Sequence, residues 1–208
     1  MTTTLAPPQI PFFTVEEYFE LEQDSETRHE FVNGKIFDMP GEYLPNVTIA
    51  KNCIVRLTVQ FETKSSNCMV YNHVTKLKVS PTAYRYPDVV VTCAPETDFR
   101  FVQFPSLIIE VLSESTQRTD RKDKLTEYCN IASLHYYLLI EPDEMSVEMY
   151  RRDGEKWVYS AFSNADDCLN FPIFEAELHL KDIYKNIALG NPQTDAPPNP
   201  SVPRPPRA

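Results

Sequence analysis

No apolar stretch of this 208-residue chain reaches the ~20 residues that a bilayer-spanning helix needs. Residues 1–9 have neither a basic start nor a long apolar core, so no signal peptide is expected. Positive charge is also scarce. Lys and Arg together number 20 against 30 Asp and Glu, and the net charge is -10. That excludes a protein that coats nucleic acid, because neutralising phosphates requires a positive surface. A local basic groove is still allowed, and an acidic total suits a site that gathers carboxylates around a cation. No two of the five cysteines (Cys53, Cys68, Cys93, Cys129, Cys168) have CxxC spacing, and their number is odd. Neither zinc nor a disulfide framework is expected, and the cysteines read as reduced, mostly core residues of a cytoplasmic protein. The four histidines (His29, His73, His135, His179) form no HxxxH pair and read as surface or structural residues. There is no internal repeat.

What is present is a globular composition. Hydrophobic residues make up 42 % of the chain, and its length fits one domain with short flanking tails. Residues 1–11 carry Pro7, Pro8 and Pro11 and read as an extended arm, residues 12–189 as the domain, and residues 190–208 as a proline-rich, core-free tail. Thr14 with Glu17 is a capping box that predicts a helix to about Gln23. Asn33-Gly34, between short apolar runs, predicts a β-hairpin over 29–37. A helix is expected over 45–63 and strands over 69–79, 88–93 and 107–112. A polar amphipathic helix over 117–131, a strand over 136–140, a hairpin around Asp153-Gly154 and a short terminal helix over 180–187 follow. This order predicts an α/β fold with a mixed sheet flanked by helices.

Two acids stand where apolar strands should have none. Glu110 lies inside Leu107-Ile108-Ile109-Glu110-Val111-Leu112, and Asp88 opens the run Val89-Val90-Val91. A buried carboxylate must be paired, protonated or bound to a cation. Hard oxygen donors of this kind suit Mg²⁺ or Mn²⁺, and a buried salt bridge to Arg85 or Lys124 is the structural alternative. Asp120, Lys124 and Tyr128 are spaced four apart and share one face of the following helix.

These segments, taken in order, resemble the Uma family of restriction-endonuclease-like proteins, members of the PD-(D/E)xK nuclease superfamily. The carriers are His29-Glu30-Phe31-Val32-Asn33-Gly34-Lys35, Arg85-Tyr86-Pro87-Asp88-Val89-Val90-Val91, Ile109-Glu110-Val111-Leu112-Ser113, the Asp120, Lys124, Tyr128 face, and Tyr136-Tyr137-Leu138-Leu139-Ile140. The resemblance covers about residues 13–184 and implies a restriction-endonuclease-like fold. It implies metal ligation by Asp88 and Glu110, with Glu30 as an additional acid. The superfamily lysine two residues after the second acid is replaced by Leu112, and Lys124 is the matching candidate from the next helix. Asn46 stands near where relatives carry a histidine. The implied activity is Mg²⁺-dependent (or Mn²⁺-dependent) hydrolysis of DNA phosphodiester bonds, leaving 5′-phosphates, by a homodimer. Arg118, Arg121 and Lys122 adjoin the site, and with Lys76, Lys78 and Arg85 they are candidates for a DNA groove. The competing expectation is a catalytically inactive nuclease fold serving as a binding or assembly module, favoured by Leu112 and the acidic total.

Overall fold

The computed structural model describes residues 12–39, 41, 43–113 and 116–190. The expected arm (1–11) and nearly all of the proline-rich tail lie outside them.

Helix α1 (Val15–Asp24) starts at Thr14, whose hydroxyl accepts from the Glu17 N–H while the Glu17 carboxylate accepts from the Thr14 N–H. The expected capping box is therefore formed. Strands β1 (His29–Val32) and β2 (Lys35–Asp38) make the Asn-Gly hairpin. Asn33 and Gly34 both have positive φ, 48° and 82°, as a two-residue turn of this twist demands. Gly34→Ala is expected to cost about 1–2 kcal/mol, the penalty of a left-handed conformation with a Cβ, read as a shift in the urea midpoint. The exposed Phe12 ring beside Gly34 can move aside and adds little to that cost.

Helix α2 (Leu44–Thr63) lies on one face of a six-stranded sheet. The sheet comprises β3 (Met69–Asn72), β6 (Val89–Thr92), β7 (Pro105–Val111), β8 (Tyr136–Ile140), β9 (Val147–Asp153) and β10 (Lys156–Phe162), in the order β10-β9-β8-β7-β6-β3. Strands β4 (Leu77–Ser80) and β5 (Ala83–Arg85) join the first hairpin in a four-stranded sheet ordered β2-β1-β5-β4. The strand expected over 69–79 is thus two strands. The turn around His73–Thr75 separates them, β3 pairing with β6 and β4 with β5.

Only β7 and β8 run parallel within the large sheet, so the chain between them must cross a face. Its helical crossover consists of α3 (Gln117–Thr119), a π-helical turn (Asp120–Lys124) and α4 (Leu125–Cys129). Strands β6, β7 and β8 are buried along their whole length, as their continuous apolar runs predict. Alternation along β7 sends Leu107, Ile109 and Val111 into the core under α2. It sends Ile108 to the opposite face, against Tyr128, Tyr137 and Leu139. Glu110 shares this second face, as does Leu112 just beyond the strand.

A further hairpin, β11 (Cys168–Phe171) and β12 (Ala176–His179), followed by α5 (Leu180–Ile183), completes the core on the α2 side. Neither β11 nor β12 is expected from the sequence, and α5 ends four residues before the expected 187.

The expectation of five reduced cysteines is overturned. Cys68 and Cys93 form a disulfide, with Cα atoms 4.0 Å apart. The pairing of Met69 with Thr92 explains it, because residues 68 and 93 then face each other one step further along. Their separation of 25 residues hides that register in the sequence. Cys53, Cys129 and Cys168 are free thiols. The placement in a reducing compartment loses the support it drew from cysteine usage. Among the described residues no helix is long and apolar enough to cross a membrane.

Candidate active site

Register brings the two anomalous acids together. Val89 pairs with Ile109, so Asp88 stands opposite Glu110 across β6 and β7. The Val111 N–H donates to Asp88 Oδ2 at 2.6 Å, tying the aspartate to the strand that carries the glutamate. Asp88 is half-buried, whereas Glu110 is 3 % exposed.

The helical crossover supplies the counter-charge. Lys124 Nζ lies 2.9 Å from Glu110 Oε1, 3.0 Å from Asp120 Oδ1 and 3.6 Å from Glu30 Oε1. The Tyr128 hydroxyl donates to the same Glu110 oxygen at 2.9 Å, and the Tyr137 hydroxyl donates to the Asp120 carbonyl at 3.1 Å. The spacing of four between Asp120, Lys124 and Tyr128 therefore marks a buried face, not a solvated one. The turn bearing Asp120 and Lys124 is π-helical, a rare form concentrated at functional sites. At the far end of β7 the Asn46 amide donates to the carbonyls of Val111 (3.3 Å) and Leu112 (3.0 Å). Asparagine here anchors the strand end from the first turn of α2.

Three carboxylates, of Glu110, Asp120 and Glu30, thus converge on a single ammonium, and Asp88 stands beside them through its hydrogen bond from Val111. Burial, joined by the Asp120 and Asp88 charges, pushes the Glu110 carboxyl well above the ordinary carboxylate range despite Lys124. Burial opposes the Lys124 ammonium, but Glu110, Glu30, Tyr128 and Asp120 together hold its pKa well above the usual lysine value. Glu30 goes the other way. Burial disfavours its charge, yet Lys124 and Arg85 prevail and lower its pKa. Arg85 itself is divided between Glu30 (2.7 Å) and a bidentate contact with Glu127 (2.7 and 2.9 Å).

All four expected site residues, Asp88, Glu110, Lys124 and Glu30, are brought to one place. Asp120 and Asn46 join them, although neither is among the site residues expected from the sequence. Asp120 is 1 % exposed, and among the described residues its buried Oδ1 accepts no hydrogen bond and has only the Lys124 ion pair. Its signal was the Asp120–Lys124 spacing, which surface helices share.

The expected basic groove is not assembled. Lys76 is buried, its ammonium 4.5 Å above the Tyr18 ring, 4.4 Å above Phe19 and 3.7 Å from Glu22. Arg85 is equally buried, and Arg121 is engaged by Glu141 and Glu148. These cations are drawn inward because each has acids or rings within reach that outcompete water. Lys78 is half-buried beside Phe101, while Arg118 and Lys122 are exposed on the crossover next to the acids.

The family model Uma2, described as "Putative restriction endonuclease", matches residues 15–181. The chain belongs to the Uma2 family. Two proteins of Synechocystis sp. (strain ATCC 27184 / PCC 6803 / Kazusa) are similar to it. The uncharacterized protein slr1290 is 30 % identical over 189 residues, 87 % of this chain and 97 % of that one. The uncharacterized protein sll1609 is 30 % identical over 149 residues, 69 % of this chain and 82 % of that one. Among solved structures, one described as "a putative nuclease belonging to DUF820" from Anabaena variabilis ATCC 29413 superposes with a TM-score of 0.69 at 20 % identity. It covers 83 % of this chain and 97 % of its own. The Uma2 chain described here thus has a mixed α/β fold closely matching a nuclease-like structure.

Proposed function

We propose that this Uma2 protein is a divalent-metal-dependent endonuclease that hydrolyses DNA phosphodiester bonds. It would act as a homodimer, because cutting both strands of a duplex takes two such sites. The observation that carries the reading is Lys124, whose ammonium meets Glu110 on the face where the missing superfamily lysine would stand. Leu112 shares that face, so the function lost at one position is available from another.

The donor set fits a hard cation. An oxygen-rich cluster with more carboxylates than counter-charges, one of them pushed upward in pKa, is relieved by an added divalent ion. Asp88 and Glu110 would hold Mg²⁺ or Mn²⁺. Such an ion supplies Lewis-acid polarisation of the scissile phosphate. The chain's own groups do the rest. Lys124 neutralises charge gathering on the phosphate oxygens and orients the attacking water. Tyr128 fixes the Glu110 carboxylate by its hydrogen bond, and Asn46 holds the end of β7 in place. Glu30 stays ionised beside Arg85 and acts by positioning Lys124, which makes it a poor proton acceptor. Phosphate contacts outside the pocket fall to the exposed Arg118 and Lys122.

The test is cleavage of supercoiled plasmid DNA with Mn²⁺ or Mg²⁺. Wild type is expected to nick and linearise the plasmid, and Asp88→Ala and Glu110→Ala to lose that activity. Equal cleavage by all three proteins would rule out this site. An inert wild type that also fails to bind Mn²⁺ by calorimetry would favour the binding-module reading.

A further inference from the structure

The β11–β12 hairpin lies outside the carboxylate site. Its inward residues Leu169, Phe171, Ala176 and Leu178 join the core under α2. Its outward face carries Cys168, Asn170, Glu177 and His179. Cys168 pairs directly with His179, and Asn170 with Glu177, so four polar side chains form a square on one side of two strands. We infer that Cys168, Glu177 and His179 form a second cation site, one that selects a borderline metal such as Zn²⁺.

Each of the three offers one ligand atom, and these atoms lie within 4.8 Å of one another. His179 Nε2 is already 3.3 Å from Glu177 Oε1, and its Nδ1 is buried without a hydrogen-bond partner. Tetrahedral zinc with bonds of about 2.0–2.3 Å needs its ligand atoms roughly 3.3–3.8 Å apart. Closing the cluster therefore requires side-chain shifts of up to about 1 Å, with no movement of the strands. Asn170 Oδ1, 3.8 Å from Cys168 Sγ, or a water completes four-fold coordination.

The backbone that carries the ligands is fixed from both sides. The Gln60 side chain of α2 grips the edge of β12 at Glu177, donating to its carbonyl at 2.8 Å and accepting from its N–H at 3.0 Å. Lys64 donates to the Glu175 carbonyl, and the Leu180 N–H donates to the Asp167 carbonyl at 3.1 Å. Ligands held on a rigid pair of strands lose little freedom when a metal binds.

Donor chemistry sets the selectivity. One thiolate, one imidazole and one carboxylate suit Zn²⁺, whereas Mg²⁺ avoids sulfur. The thiolate and carboxylate neutralise the dication, and binding displaces the thiol proton to solvent. The metal would clamp the hairpin to the core. No sequence spacing announces the site, because its ligands come from two antiparallel strands.

The experiment uses the full-length protein titrated with Co²⁺, a spectroscopic stand-in for Zn²⁺. Wild type is expected to develop near-ultraviolet thiolate-to-cobalt charge-transfer absorption, which excess Zn²⁺ abolishes. Zn²⁺ is also expected to raise its melting temperature. Cys168→Ser and His179→Gln should each lose the band and the Zn²⁺-dependent shift, with unchanged circular dichroism. Zn²⁺ should also protect the Cys168 thiol of the wild type from alkylation, a readout independent of how the variants fold. Glu110→Ala and Cys129→Ser should keep the band, which separates this site from the carboxylate cluster and from the other accessible thiol. The inference is overturned if wild type shows no band and no protection, or if the band survives in Cys168→Ser.

Discussion

Lys124→Met is expected to lower folding stability by about 3–5 kcal/mol, the cost of removing one partner from a buried ion pair. Methionine nearly preserves the volume of the lysine stem, so the packing loss is small. What is lost is the ammonium within 4.0 Å of Glu110, Asp120 and Glu30. Glu110 and Asp120 are 3 % and 1 % exposed, so water cannot replace it. The acids can escape only by taking up protons. The deficit should therefore be larger at pH 8 than at pH 5, and urea unfolding at both values measures it. The ionisation of Lys124 itself adds no pH dependence over that window. A lysine whose folded pKa is raised contributes stability in full below its unfolded value of 10.5 and loses it only as pH climbs through the folded one. A deficit below about 1 kcal/mol, typical of an exposed pair, would show that the cluster is solvated. DNA cleavage should also fall in this variant when assayed at a temperature where it is still folded.

Glu110→Gln should behave oppositely on stability. The variant is expected to be at least as stable as wild type at pH 8, while losing metal-dependent cleavage. Glutamine keeps the oxygen that accepts from Lys124 and Tyr128. It removes a charge that burial, Asp120 and Asp88 all oppose. An acid whose folded pKa is raised contributes stability that is complete below its unfolded value, here 4.5, and lost as pH rises through the folded value. Glutamine cannot ionise, so the gain should be absent at pH 4 and grow above about 4.5. Denaturation midpoints at the two pH values test this. A variant several kcal/mol less stable at pH 8 would mean that the ionised pair favours folding, and the case for an added cation would weaken. Together the two variants separate a strained, cation-seeking acid from a structural salt bridge.

The contrast between these residues shows what could be read in advance. Glu110 was legible because a charge in an apolar strand has few explanations. The register of β6 against β7 then turned two separate anomalies into one site. From its residues alone Lys124 was a salt-bridge candidate; a catalytic role for it came only through the family resemblance, since its i,i+4 spacing from Asp120 also describes countless surface helices. Lys76 and Arg85 went the other way. In sequence they are candidate phosphate contacts, but rings and acids from α1, β1 and α4 enclose them. No local pattern carries that information.

Elements whose causes are local can be read from the residues alone: the capped first helix, the Asn-Gly turn, the buried runs of β6, β7 and β8, and the misfit of Asp88 and Glu110. These follow from backbone preference and from the cost of burying charge, both readable within a few residues. The Cys68–Cys93 bridge, the division of residues 69–79 between two sheets, the entry of Asp120 into the acid cluster, and the Cys168, Glu177 and His179 face arise only once the chain is folded. Each of these depends on strand register or helix docking between distant segments. The free energy that selects one register is spread over the whole core and is not written at the positions it brings together.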